Sequence, residues 1–165
     1  MMQATQLTFE KRDIKNCAFT GHREMDKSFS IEKLQKIVFD LAQKGVENFY
    51  CGMAKGFDLC AAEAVIKAKE NFSNVKLIAC VPFFGQEKGY KKEDKKRYVE
   101  ILKKCDLKIT QTVEYKKFCM LERDRFMADR ADVLVAYLKK TKGGTAYTVG
   151  YFRKKYKEKE IIFID

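Results

Sequence analysis

Short apolar runs alternate with amphipathic segments of helical period along most of this chain. That alternation limits its fold more than any other feature. Strand-like runs fall at 14–20, 48–51, 75–81, 106–110, 132–138 and 160–164. Between them, Ile31, Leu34, Val38 and Leu41 recur at helical spacing, with Ser30 as a candidate N-cap and Gly45 as a candidate C-cap. Further helical patterns cover 59–69, 87–104, 118–131 and 146–155. Strands separated by helices imply a mostly parallel sheet covered on both faces, an α/β three-layer sandwich. Pro82 is expected to end the third strand, because it cannot donate to a ladder. A chain of 165 residues can bury a real core, so 1–165 reads as a single domain. Residues 1–13 lack a clear period and read as a tail or a short leading element.

In open parallel sheets, ligands sit beyond the carboxyl ends of the strands. Three unusual loops are expected at that edge. The first is Thr20-Gly21-His22-Arg23, where Thr20 can donate from its hydroxyl and Arg23 offers a charge-assisted fork. His22, the one histidine of the chain, reads either as a hydrogen-bonded structural residue or as part of a site. The second loop runs Gly52-Met53-Ala54-Lys55-Gly56-Phe57-Asp58 into a helix. A glycine turn opening a helix makes a common anion site, because the first-turn N–H groups are unpaired and carry partial positive charge. The plain alternative is a strand–helix turn with Asp58 as N-cap. The third loop holds Lys142-Gly143-Gly144-Thr145, in which Thr145 can cap the next helix or bond a phosphate.

Other polar residues stand out by their surroundings. Glu63 lies among alanines early in its helix. It is either an ordinary exposed acid or a carboxylate reaching back to the strand ends, to bind a ribose hydroxyl or act as a base. In the stretch 118–131, Met120, Arg123, Asp124, Met127 and Ala131 share one helical face. If that face meets the sheet, Arg123 and Asp124 must be paired or must line a polar cavity. The alternative is a surface cluster with Glu122, Arg125 and Asp129. Phe83, Phe84 and Tyr90 form either a wall against a base or a cap on the core, and Gln86 suits a purine edge.

The formal net charge of +11 suits a polyanionic partner or a lysine-rich solvated surface. Runs such as Lys91-Lys92 and Lys116-Lys117, mixed with acids, favour the surface reading. The six cysteines form no C-x-x-C pair and accompany one histidine, so no metal site is expected. No apolar run approaches the length of a membrane span, and the first residues lack a signal-peptide core. A cytoplasmic protein with reduced thiols is expected.

The stretches CAFTGHR, GMAKGFDLCAAE, VPF..Q, CMLERDRFMADRADVLVAY and GGTAYTVGY, from Cys17 onward and in this order, resemble the YpsA/YoqJ-like family of the SLOG superfamily. Members of that family are bacterial and phage proteins, and the superfamily also contains the DNA-processing protein DprA and the LOG enzymes, which release cytokinin bases from nucleotides. The resemblance implies a Rossmann-like fold and a nucleotide or nucleotide-derived ligand. By position, it implies ligand contacts at Thr20, Gly21, His22, Arg23, Gly52, Met53, Gly56, Asp58, Gly143, Gly144 and Thr145, with Glu63 and Arg123 as polar helix contributions. Asp124 stands where the family often has Asn, the chain has no Trp near Tyr90, and its third glycine loop is shorter than the P-G-G-x-G-T loop of LOG enzymes. Three functions follow as expectations. The first is a sensor or regulatory domain for an ADP-ribose/NAD-like or nucleoside-phosphate ligand. The second is an N-glycosidic hydrolase of nucleoside monophosphates using Glu63 or Asp58. The third is a DprA-like binder of single-stranded DNA. No further cofactor is called for. A homodimer through a helix face is expected, as small Rossmann-like domains often pair that way.

Overall fold

The computed structural model describes residues 13–165. The tail or leading element read over 1–13 therefore lies, but for Asp13, outside the described residues. The elements run β1 Asn16–Gly21, α1 Ile31–Gln43, β2 Asn48–Cys51, α2 Phe57–Lys69, β3 Lys76–Phe83, α3 Lys92–Lys104, β4 Leu107–Thr112, α4 Cys119–Arg130, β5 Val133–Tyr137, α5 Gly144–Lys155 and β6 Glu160–Phe163. The six strands form one sheet in the order β4-β3-β2-β1-β5-β6. Every neighbouring pair is parallel. The result is a Rossmann-like three-layer α/β domain.

Strand alternation divides the core between the two faces of the sheet. Cys17 and Phe19 of β1, with Val133 and Val135 of β5, pack with Leu34 and Val38 of α1, Val65 of α2, and Tyr98 and Ile101 of α3. The intervening Ala18, Leu134 and Ala136 pack with Met127 and Ala128 of α4 and with Val149 and Phe152 of α5. Small residues on α2 let it lie close to the sheet, and Ala61, Ala62 and Ala64 are all buried.

Local chemistry sets the element ends. Ser30 accepts the Lys33 N–H at 3.2 Å as the N-cap of α1. At the other end, Gly45 N–H bonds Ala42 O at 3.1 Å and Val46 N–H bonds Leu41 O at 3.0 Å, the paired bonds of a Schellman motif. Two expectations need correction. Pro82 does not end β3. The strand runs on to Phe83, and its register with the edge strand β4 resumes from Val81↔Thr110 to Phe83↔Thr112. One ladder position is lost there, and the Thr112 hydroxyl donates to the Pro82 carbonyl at 3.1 Å. The helical pattern at 87–104 is interrupted. A short 3-10 turn, Gln86–Gly89, precedes α3, because Tyr90 adopts extended backbone between them.

The amino edge of the sheet is sealed by two carboxylates. Asp132 accepts the backbone N–H groups of Lys15 and Asn16 at 3.0 and 2.9 Å. Asp106 accepts Leu77 N–H at 2.8 Å and Lys69 Nζ at 2.7 Å. The carboxyl edge carries the loops discussed below. Leu77 is fully buried, so Leu77→Ala is expected to lower unfolding free energy by about 2–5 kcal/mol. Ser30→Ala should lower it by about 1 kcal/mol. Urea unfolding followed by circular dichroism reads both, and equal losses for the two variants would contradict this account of the core.

Candidate functional site

Chain order reverses beside β1. Strands β1 to β4 build outward in one direction, and β5 then pairs with the other edge of β1. This is the topological switch point, where doubly wound sheets hold ligands. A cavity of about 710 Å³ opens there, within the roughly 300–1,000 Å³ usual for small-molecule sites. Thr20, Gly21, His22 and Arg23 line it from the end of β1, Ala54, Lys55 and Asp58 from the α2 side, Arg123 and Asp124 from α4, Lys140 from the loop after β5, and Gly144 and Thr145 from the start of α5.

The floor is built around Arg123, which is 5% exposed. Its guanidinium donates to the Gly52 carbonyl through Nη1, to the Cys80 carbonyl at 3.3 Å, and to Asp124 Oδ1 at 2.7 Å. Burial pulls its pKa down, but the charges of Asp124 and Asp58 outweigh this and the net shift is upward. Gly52 must be glycine, since a Cβ there would lie 2.8 Å from Arg123 Cζ. The Asp58 side chain turns back to accept Ala54 N–H at 3.2 Å. The N-cap position of α2 is Gly56 instead, which corrects the N-cap reading of Asp58. Gly56 has φ +81, and a Cβ on it would meet the Arg23 carbonyl oxygen at 2.2 Å. The β1 loop and the α2 turn are thus locked together, with Phe57 N–H also bonding His22 O at 3.1 Å. Burial pushes the Asp58 carboxyl up to about 7, against the lowering pull of Arg123. A carboxyl group holding its proton near neutrality can donate as well as accept at the cavity wall.

A family model described as the YspA SLOG family, YpsA, matches residues 17–165. The chain belongs to this family. It is 24% identical over 141 residues to a UPF0398 protein of Halalkalibacterium halodurans, covering 84% of this chain and 75% of that one. It is 26% identical over 115 residues to UPF0398 protein YpsA of Bacillus subtilis, covering 68% and 64% respectively. DprA of Streptococcus pneumoniae shares the fold with a TM-score of 0.67 at 19% identity, over 92% of this chain and 50% of that one. DprA of Helicobacter pylori, a protein described by its single-stranded DNA binding mode, also gives 0.67 at 20% identity, over 93% and 66%. The chain therefore spans about half to three quarters of the length of these proteins.

Within this SLOG fold the expected site residues separate into two groups. Thr20, Gly21, His22, Arg23, Asp58, Arg123, Asp124, Gly144 and Thr145 all line the cavity. Gly52, Met53 and Gly56 shape its α2 turn without lining it, and Met53 is fully buried with φ 63. Gly143, with φ 107, opens α5 as its N-cap position, so Thr145 lies inside the first turn and does not cap it. His22 accepts Lys139 N–H at Nε2, 2.8 Å away. It is held neutral, its pKa lowered by burial and then by Lys140, and that bond ties the β1 loop to the β5 loop.

Glu63 does not reach the strand ends. It pairs with Arg97 of α3, with Nε at 3.0 Å and a closer contact from Nη2, on a separate groove between α2 and α3. Gln86 does not face the cavity either; its amide donates to Gly52 O at 3.3 Å. Asp129, expected in a cluster with α4 neighbours, instead takes Lys155, Tyr151 and Tyr156 of the α5 side. Lys55, Lys140, Tyr115, Phe118 and Met120 also line the cavity, though none was expected as a ligand contact. For Tyr115 and Phe118 the signal was the aromatic–basic run at 115–118, which reads as plain surface when its lysines are taken alone. Among the described residues no helix is long and apolar enough to cross a membrane, and no group of His, Cys, Asp and Glu has the arrangement of a metal site.

The raised Asp58 fixes a pH dependence. The folded state keeps this proton up to about pH 7, whereas the ordinary value is 3.8. Between those two values the folded state binds more protons, so this group's contribution to stability is lost as pH rises from about 4 to 7. Asp58→Asn is expected to remove that part of the slope and to gain stability relative to wild type at pH 8 compared with pH 4. Urea unfolding at a series of pH values reads the difference, and parallel profiles would contradict the buried, raised carboxyl.

Proposed function

We propose that this domain binds a nucleotide or nucleotide-derived ligand, of the ADP-ribose/NAD or nucleoside-phosphate class, in the cavity at the switch point, and that it acts in the cytoplasm as a sensor or regulatory domain. The observation that carries the reading is the convergence of cationic and helix-terminal groups on one cavity beside polar hydrogen-bonding groups. Arg23, Lys55 and Lys140 line it together with the first turns of α2 and α5, which suits a phosphate or diphosphate. Thr20, Asp58 and Asp124 offer partners for ribose hydroxyls. If turnover accompanies binding, Asp58 is the cavity carboxyl suited to it, because its proton is available near neutral pH.

A second reading rests on the likeness to DprA and the net charge of +11. It is single-stranded DNA held along the rim, where Lys116 and Lys117 lie among exposed aromatic residues.

Isothermal titration and thermal shift with AMP, ADP-ribose, NAD and a short oligonucleotide, with products followed by chromatography, test these readings. A ligand at about 100 times its Kd adds roughly 2.7 kcal/mol of stability. Arg23 is exposed, so Arg23→Ala should leave stability within about 0.5 kcal/mol while weakening the binding of phosphate-bearing ligands by roughly tenfold, for a charged hydrogen bond worth about 1.5 kcal/mol or more. Absence of nucleotide binding, with oligonucleotide affinity that falls steeply with salt, would replace the first reading by the second. Release of free base would make the protein an N-glycosidase.

A further inference from the structure

Part of the cavity wall comes from the β4–α4 connection, where Arg23 Nη2 donates to Met120 Sδ at 3.2 Å in the first turn of α4. Tyr115 and Phe118 both line the cavity, yet they are 64% and 58% exposed. Large aromatic rings left this open keep much of their surface for solvent or a ligand. Their placement is enforced. Phe118 has φ +66 and ψ +7 at the N-cap position of α4, a left-handed conformation that is a genuine outlier for a bulky residue. Such strain persists only where the surroundings hold it, and it clusters at ligand sites. Tyr115 is buttressed from behind by Phe83, edge to face with ring centroids 5.5 Å apart. The loop is tied down where the one Thr112 hydroxyl proton is shared between the Glu114 and Pro82 carbonyls, at 2.7 and 3.1 Å, and Cys119 N–H bonds Lys116 O at 3.0 Å. Lys117 Nζ lies 5.0 Å from the Phe118 ring centroid.

We propose that Tyr115 and Phe118 form a stacking wall for the nucleobase of the bound nucleotide, and that this wall sets selectivity for base-bearing over base-less sugar phosphates. The inference rests on the nucleotide reading of the same cavity. Lys55 and Lys140 line the same cavity and fit the phosphate end, while Arg23 reaches the start of α4 through Met120 and stands between that end and the aromatic wall left for the base. Base–aromatic stacking tolerates any base, so this wall selects for the presence of a base and not for its identity.

The test compares AMP, ADP-ribose and ribose 5-phosphate on wild type, Tyr115→Ala, Tyr115→Phe and Phe118→Gly by titration calorimetry. Phe118→Gly removes the ring and relaxes the left-handed backbone, so α4 keeps its start and the variant stays folded. Tyr115→Ala and Phe118→Gly are expected to weaken AMP and ADP-ribose by about tenfold or more and to leave ribose 5-phosphate within twofold. Tyr115→Phe should retain wild-type affinity, because the ring and not the hydroxyl does the stacking. Wild-type binding of AMP that survives both ring deletions, or equal losses for ribose 5-phosphate, overturns the stacking wall while leaving the nucleotide site intact. A wild type that binds none of the three overturns the site reading and the wall together.

Discussion

The buried guanidinium of Arg123 is the contact on which the rest of the site depends. It leaves α4 on one face of the sheet, reaches the carboxyl ends of β2 and β3, and bonds the Gly52 and Cys80 carbonyls. A buried cation needs both charge and hydrogen-bond partners, because the desolvation of an unpaired ion is severe. Asp124, the next residue, supplies the charge, and the strand ends supply the acceptors. The conformation of the 52–58 turn follows. Gly52 has no side chain so that the guanidinium can approach. Gln86 joins Arg123 on the Gly52 carbonyl, and the Tyr90 hydroxyl donates to the Met53 carbonyl at 3.0 Å. The turn that resembles a ligand loop is held in its shape by α4 and by the segment after β3.

Topology then fixes where chemistry can happen. With every strand parallel, all carboxyl ends lie on one edge, and β1 between β2 and β5 opens a crevice on that edge. At the other edge, Asp106 and Asp132 take up backbone donors at the strand starts. Beneath the crevice, Phe57 stacks on Tyr137 with centroids 6.0 Å apart and Phe29 meets Tyr137 edge to face at 5.3 Å. The Tyr137 hydroxyl in turn accepts Asp26 N–H at 3.1 Å. The β1 loop is therefore supported by the aromatic core and does not rest on the cavity alone.

Much of the fold could be read from the residues because local and tertiary preferences agree. Apolar runs such as Val133–Tyr137 are fully buried, and the cap signals at Ser30 and Gly45 mark real helix ends. The charged interruption in the α4 stripe left a pair or cavity wall and a surface cluster equally open, and only packing decides that Arg123 and Asp124 pair and line the cavity. Pro82 misled because the loss of one ladder donor beside an edge strand is tolerable when the pairing resumes at the next position. Glu63 misled because a carboxylate among alanines says nothing of its helix's neighbour, and Arg97 lies 34 residues away in sequence. Tyr115 and Phe118 were not visible as wall residues, because a strained loop conformation is set by both flanking elements and leaves no periodic trace.

The cavity thus divides into a floor and a rim with different electrostatics. On the floor, the positive charge of Arg123 is met at once by Asp124, and Asp58 keeps its proton toward neutrality, so little net attraction for an anion remains. That attraction falls to the rim, where Arg23 and Lys140 are exposed and Gly144 and Thr145 bring the first turn of α5 to the cavity. Exposed charges act through solvent and are weakened by salt, whereas the buried floor is screened far less. On the proposed reading, the rim gathers the phosphate and the aromatic wall gathers the base. The floor then recognises what lies between them by hydrogen bonds. An Asn at position 124 would lose this local neutralisation and present a more positive floor, so that one position adjusts how much of the binding energy comes from charge.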